Sequence, residues 1–191
     1  MFDTSRKQTL LHLARAAIAK ELGFIADELP RPAWLEEPGA TFVSLTLRGR
    51  LRGCVGSLEA NLPLIDDVRQ NATAAAFHDP RFAPLALDEF ADVVIDVALL
   101  STPEPLRFSS EQDALSKLNP GLDGVTLECG SSRATFLPHA WAESPDPQVF
   151  LALLKNQAGL AADFWSDDIK LSRFTVQKWR EGGRRESDLN G

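Results

Sequence analysis

At 191 residues the chain fits one domain, or two lobes sharing a core, and excludes two large independent domains. Its 44% hydrophobic content is enough for a core that buries roughly 70% of the unfolded surface. The 27 acidic against 20 basic side chains give a formal net charge of −7, which disfavours non-specific attraction to nucleic-acid phosphates and anionic membranes. Two cysteines, Cys54 and Cys129, are too few for the disulfide framework of a small secreted protein. Met1 to Gln8 is polar and lacks the apolar segment of a signal peptide. No apolar run approaches the ~20 residues of a membrane-spanning helix, and even Val93 to Leu100 is interrupted by Asp96. A cytoplasmic protein with reduced thiols is expected.

Ser5 and Gln8 have the spacing of a capping box. Leu10, Leu11, Ala14, Ile18 and Leu22 then recur at helical intervals up to Gly23, which suits a helix end. Pro30, Pro32 and Pro38 mark a connector pinned by Trp34 and Leu35. Thr41 to Leu47 reads as a strand with Val43, Leu45 and Leu47 on one face; Gly49 punctuates a hairpin, and Leu51 to Val55 returns. Pro63 opens a helix carrying Leu64, Ile65, Val68, Ala72, Ala75 and Ala76, ended by Asp79-Pro80-Arg81-Phe82. Val93 to Leu100 alternates as a second strand region and stops at Pro103 and Pro105. Ser109 to Leu118 is a short capped helix closed by Asn119-Pro120-Gly121.

Asp123-Gly124 is a turn signal, followed by a second hairpin, Val125 to Cys129 and Arg133 to Leu137, around Gly130. Asp146-Pro147 starts a helix through Val149, Phe150, Leu153 and Leu154 that ends near Gly159. A last strand covers Ile169 to Trp179, and the slip of its apolar phase between Leu171 and Phe174 predicts a bulge. The tail over 181–191 is polar and reads as disordered. Antiparallel strands mixed with helices predict an α+β fold. Each hairpin runs into a Leu-Pro pair and then a helix, an echo that fits two repeated strand-helix units as well as a chance recurrence of a common motif. The matching order predicts one continuous antiparallel sheet holding both hairpins, backed by helices. The chain over 1–180 is then a single α+β domain, or two packed lobes.

The most chemically suggestive segment is Leu51 to Gly56. On a regular strand Arg52, Cys54 and Gly56 share one face, and Leu51, Gly53 and Val55 the other. An arginine two residues from a thiol favours the thiolate, the form that attacks electrophiles, and this makes Cys54 and Arg52 the candidate catalytic pair. Gly53 and Gly56 remove side-chain bulk, so a ligand or another backbone can approach closely. The competing reading is a small buried cysteine in a glycine-rich edge strand. Cys129 shares strand parity with Val125 and Leu127 and reads as core. His78-Asp79-Pro80-Arg81-Phe82 places polar groups at a helix end, as ligand contacts or as a terminus. Asp123 is a further ligand-binding candidate, with a role in the turn at Gly124 as the alternative. His12 reads as packing or surface, and His139 stands before Trp141 as a conceivable base. Two separated cysteines and three scattered histidines lack metal-ligand spacing, so no metal and no cofactor are expected. There is no phosphate loop and no Gly-x-Ser-x-Gly elbow.

Leu-Arg-Gly-Cys-Val-Gly at Leu51 to Gly56, Asp-Pro-Arg-Phe at Asp79 to Phe82, Gly-Leu-Asp-Gly-Val at Gly121 to Val125 and Thr-Phe-Leu-Pro at Thr135 to Pro138 stand in one order, followed by Trp141. Pro145-Asp146-Pro147, Ala158-Gly159-Leu160 and Trp165 continue the pattern. Together they resemble the AmmeMemoRadiSam system protein A family, also called the AMMECR domain, over Leu10 to Trp179. The resemblance implies an α+β fold on an antiparallel sheet. It also implies company with a Memo-like protein and a radical S-adenosylmethionine protein. It carries no settled activity, and marks Arg52, Gly53, Cys54 and Gly56 as its signature. Val55 stands where isoleucine is commoner, and His139 where glutamine is expected, which weakens a Cys-His pair. Three readings follow. One is a small-molecule or peptide site around Cys54, with Gly53, Gly56, Asp79, Arg81 and Asp123 as contacts. The others are an enzyme with Cys54 as nucleophile and a non-catalytic adaptor. RNA binding is disfavoured by the acidic composition.

Overall fold

In the computed structural model, which describes residues 2–25 and 31–182, the backbone divides into two units, Met1–Leu99 with Gln177–Gly191, and Leu100–Val176. The first apolar repeat forms α1 (Phe2–Glu21), with Leu10, Ala14 and Ile18 fully buried. The capping box expected at Ser5 is not there. A cap requires the chain to enter from outside the helix, and this helix already runs from Phe2, so the Ser5 carbonyl instead accepts from Thr9 Oγ1. Gly23, at φ +87°, ends the helix in a left-handed turn in which the Phe24 N–H reaches back to the Ala19 carbonyl. Pro30 of the connector lies outside the described residues; its later part makes a single 3-10 turn that buries Leu35.

The chain continues through β1 (Pro38–Gly39), β2 (Thr41–Leu47), β3 (Arg50–Gly56), β4 (Leu62–Pro63) and α2 (Leu64–Phe77) to β5 (Val93–Leu100). Arg48 and Gly49 both have positive φ, the two-residue turn that matches the twist of a hairpin. In the second unit follow β6 (Glu104–Leu106), α3 (Glu111–Lys117), β7 (Gly124–Cys129), β8 (Ser132–Phe136), α4 (Pro147–Gln157) and β9 (Lys170–Phe174), before β10 (Val176–Arg180) re-enters the first. The mixture of helices with antiparallel strands is the expected α+β fold.

The expectation of one continuous sheet is overturned. The first hairpin lies in a sheet of order β10-β5-β2-β3, the second in a sheet of order β6-β9-β7-β8. Each hairpin's inner strand is completed from its own unit, β2 by β5 and β7 by β9, so neither is left to pair with the other. The single last strand is likewise two. The bulge expected between Leu171 and Phe174 is absent, since β9 keeps an unbroken register with β7 over those residues; the chain leaves β9 only after Phe174 and then enters β10 beside β5. Glu181, assigned to the tail by the sequence reading, is held. Its carboxylate accepts from Arg15 and from the Ile95 N–H, and its own N–H donates to the Ile95 carbonyl. Residues 183–191 of that tail lie outside the described residues.

Each unit has its own core. In the first, Val43, Leu45, Ile95 and Val97 meet Val68, Ala72 and Ala75 of α2, which packs in turn against α1. In the second, Leu127 and Leu171 meet Phe150, Leu151 and Leu154, and the Trp141 ring stacks on Phe150 at 3.7 Å. Beside that core Lys155 is 1% exposed, with Nζ donating to Glu111 Oε1 at 2.6 Å and the Ala162 carbonyl at 3.0 Å, and lying 5.6 Å from the centre of the Trp165 ring. The Glu111 side chain is 35% exposed and can return to water, so removing Lys155 chiefly leaves a void. Lys155→Ala is therefore expected to cost about 3 kcal/mol in urea unfolding, and Lys155→Met, which keeps the volume, to cost less. A loss at the level of an ordinary surface substitution would show the pair to be incidental.

Candidate functional site at an edge strand

β3 is the outer strand of its sheet, so alternate backbone groups point away from β2 with no strand to receive them. At Cys54 two side chains take that strand's place. Asp79 Oδ2 accepts the Cys54 N–H at 2.9 Å, and Arg81 Nη2 donates to the Cys54 carbonyl at 3.1 Å. The two are locked to each other, Nε to Oδ1 at 2.9 Å and Nη2 to Oδ2 at 2.6 Å. The Asp79 side chain is 3% exposed and that of Arg81 55%. The Arg81 guanidinium, and then the Cys54 N–H, hold the Asp79 carboxyl well below the usual carboxylate range, so it is ionised throughout neutral pH. The Cys54 sulfur is half-buried and accepts from Ser44 Oγ across the hairpin at 3.1 Å.

Arg52 does not join this group, and the parity argument that placed it beside Cys54 fails for a specific reason. Arg48 and Gly49 form the turn, so simple counting pairs Leu45 with Arg52 and Ser44 with Gly53. The register instead slips by one: Thr46 faces Leu51, Leu45 faces Gly53 and Ser44 faces Cys54. Arg52 is the extra residue of a bulge, and it is Leu51 that shares Cys54's side of the sheet. The Arg52 guanidinium turns to the loop after α2. It is bound to Glu89 Oε1 at 2.9 Å and Oε2 at 2.7 Å, and to the Ala83 and Pro84 carbonyls. Glu89 also accepts the Ala86 N–H.

The space made by the two glycines is occupied from within the fold. A Cβ on Gly53 would stand 2.0 Å from the Ala75 carbonyl oxygen of α2, and one on Gly56 would enter the Phe42 ring. Asp123 lies in the second unit, where Oδ2 accepts the backbone N–H and Nδ2 of Asn119 and its carbonyl accepts from Trp141 Nε1. Cys129 flanks the second core, His12 and His78 are exposed in the first unit, and His139 is exposed in the second. A surface groove lined by Lys7, Leu11, Arg15, Arg48 and Phe90 holds none of the motif residues. Among the described residues no three His, Cys, Asp or Glu side chains gather as a metal-binding group, and no helix is long and apolar enough to cross a membrane.

Comparison with known proteins places the chain in a family. The AMMECR1 family profile matches residues 11–179. The chain belongs to the AMMECR1 family. It is 36% identical to a protein of Methanothermobacter thermautotrophicus over 92% of this chain and 94% of that one. It is also 36% identical to a protein of Thermofilum pendens, over 88% and 86%. The crystal structure of the uncharacterized protein PH0010 from Pyrococcus horikoshii is similar at a TM-score of 0.74 and 32% identity, covering 93% of this chain and 92% of that one.

In this AMMECR1 domain the two motifs that stand far apart in sequence, Leu51 to Gly56 and Asp79 to Phe82, are thus one structure. Ser44 and Glu89 escaped the sequence reading. Ser44 is reached only through the bulged register, and Glu89 sits in a loop without periodicity. Two expectations follow. Gly53→Ala should cost about 3 kcal/mol, since the clash is with backbone and not with a side chain that can turn away. Unfolding near the wild-type midpoint would contradict the packing. Arg52, followed by the Ala86 N–H, lowers the Glu89 pKa to about 2. A carboxylate depressed in the folded state contributes stability above its unfolded value of 4.5, and loses that contribution as pH falls toward about 2. The stability gap between wild type and Glu89→Gln in urea should therefore be full at pH 6 and shrink between pH 4.5 and 2. A gap independent of pH would refute the Arg52 linkage.

Proposed function

We propose that this AMMECR1 domain binds a small molecule or peptide at Cys54, and that it works alongside a Memo-like protein and a radical S-adenosylmethionine protein. The observation that carries the site is the pair of hydrogen bonds by which Asp79 and Arg81 hold the two outward backbone groups of Cys54. By closing the strand edge at this residue, the pair also fixes the backbone that carries the thiol. The result is a thiol on a fixed backbone, with a hydroxyl on one side and an exposed guanidinium along the strand edge. Pre-organisation of this kind lowers the cost of holding a ligand. The partners rest on the motif resemblance alone.

A second reading takes Cys54 as a nucleophile, its sulfur held in place by Ser44 Oγ at 3.1 Å. Binding and attack part company at Cys54→Ser, which keeps a ligand's contacts but removes the thiol. To test the site, small metabolites and short peptides are screened by thermal shift against the native protein and against protein blocked at Cys54 with iodoacetamide. Ligands that raise the Tm only of unblocked protein are expected. Shifts that survive blocking would place binding elsewhere and defeat the proposal.

A further inference from the structure

We infer that Arg81 anchors an oxyanion of the ligand, a carboxylate or phosphate, beside the Cys54 sulfur; the inference rests on the reading of Cys54 as a ligand site. A guanidinium has five N–H donors. In Arg52 the Nε, Nη1 and Nη2 atoms are all engaged, and the side chain is 13% exposed. Its four hydrogen bonds leave one N–H, on a side chain that is largely buried. In Arg81 the Nε bonds Asp79 and the Nη2 is shared between Asp79 and the Cys54 carbonyl, while Nη1 makes no hydrogen bond among the described residues. The free edge belongs to a side chain that is 55% exposed and already held at three points. It also lies over the Phe82 ring, 5.5 Å from its centre.

Asp79 does not cancel this cation toward solvent. Its carboxylate is buried beneath, so the pair presents its positive end outward. The guanidinium is fixed to the residue that carries the thiol by its bond to the Cys54 carbonyl. A rigid planar cation with an unpaired nitrogen, Nη1, can donate a charge-assisted hydrogen bond to an oxyanion, and loses little entropy in doing so. A neutral ligand would leave that edge to water. The two motif arginines therefore divide the work, one fixing the loop and the other facing the ligand.

Iodoacetate and iodoacetamide differ in charge and little else, and they test this directly. With either, the Cys54 sulfur displaces iodide from the methylene carbon. One C–S bond forms, one C–I bond breaks, and the thiol proton passes to solvent. Labelling of Cys54 is followed by mass spectrometry, with a short cysteine peptide as reference. The iodoacetate to iodoacetamide rate ratio at Cys54 is expected to exceed that of the peptide by about tenfold, the scale of one charge-assisted hydrogen bond. Arg81→Gln should abolish the excess while iodoacetamide labelling continues, and Arg81→Lys should keep part of it. Should Arg81→Gln fail to fold, competition in the wild type decides. Acetate or inorganic phosphate must remove the excess where chloride of equal ionic strength does not, and the more effective of the two assigns the ligand's anionic group. A ratio equal to that of the peptide, an excess that survives Arg81→Gln, or competition no better than chloride overturns the anchor and leaves the Cys54 site standing. No labelling of Cys54 by either reagent overturns the site reading itself.

Discussion

The Asp79 carboxylate accepts the N–H of Cys54 while its partner Arg81 donates to the same residue's carbonyl, and the organisation of the site depends on this exchange. An outer strand normally leaves such groups to water or to another chain, and open edges invite unwanted pairing. Here an ion pair closes the edge at one residue. The arrangement requires Asp79 to be ionised, and Arg81 and the strand N–H together ensure that. Because the carboxylate points inward and the guanidinium outward, one contact both completes the sheet and leaves a charged donor beside a sulfur.

Delivery of that pair depends on how closely α2 lies on the sheet. Gly53 lets the Ala75 carbonyl approach to a distance no other residue would allow, and the helix ends at Phe77, two residues before Asp79. The bulge at Arg52 serves the same end. Without it, Arg52 would stand opposite Leu45 and face the core, where an unpaired cation is costly. With it, Gly53 takes the core position and Arg52 is released to hold Glu89 and the carbonyls of Ala83 and Pro84. Loop, helix and strand are thereby fastened around Cys54 by two arginines from two motifs.

The second unit follows a similar plan of hairpin, Leu-Pro and later helix, yet puts it to structural use. Asp123 is spent on Asn119, and its carbonyl on Trp141, whose ring covers Phe150. Cys129 flanks the core and faces Ser132 across its own hairpin. The same order of elements does not by itself make the same site, since chemistry belongs to side chains and not to topology.

Much of the secondary structure was legible from local signals, because those signals act within a few residues. Thr41–Leu47 and Val93–Leu100 are the strands that alternation of apolar residues predicts, and Asp146-Pro147 starts α4 as a cap and first-turn proline should. The residue types of the two motifs announced chemistry without a geometry. What the sequence could not supply was register and partnership. A one-residue bulge reverses which side chains share a face, and no local pattern in Arg50–Gly56 announces it. The slip between Leu171 and Phe174 looked like a bulge and is regular strand, while the change of sheet comes after Phe174, because phase alone cannot say which strand lies alongside. By itself, then, the sequence determined the elements, the α+β class and the residue types at the site. Only the tertiary structure decided that Arg81 and not Arg52 stands by Cys54, since that choice rests on hydrogen bonds between residues about thirty positions apart.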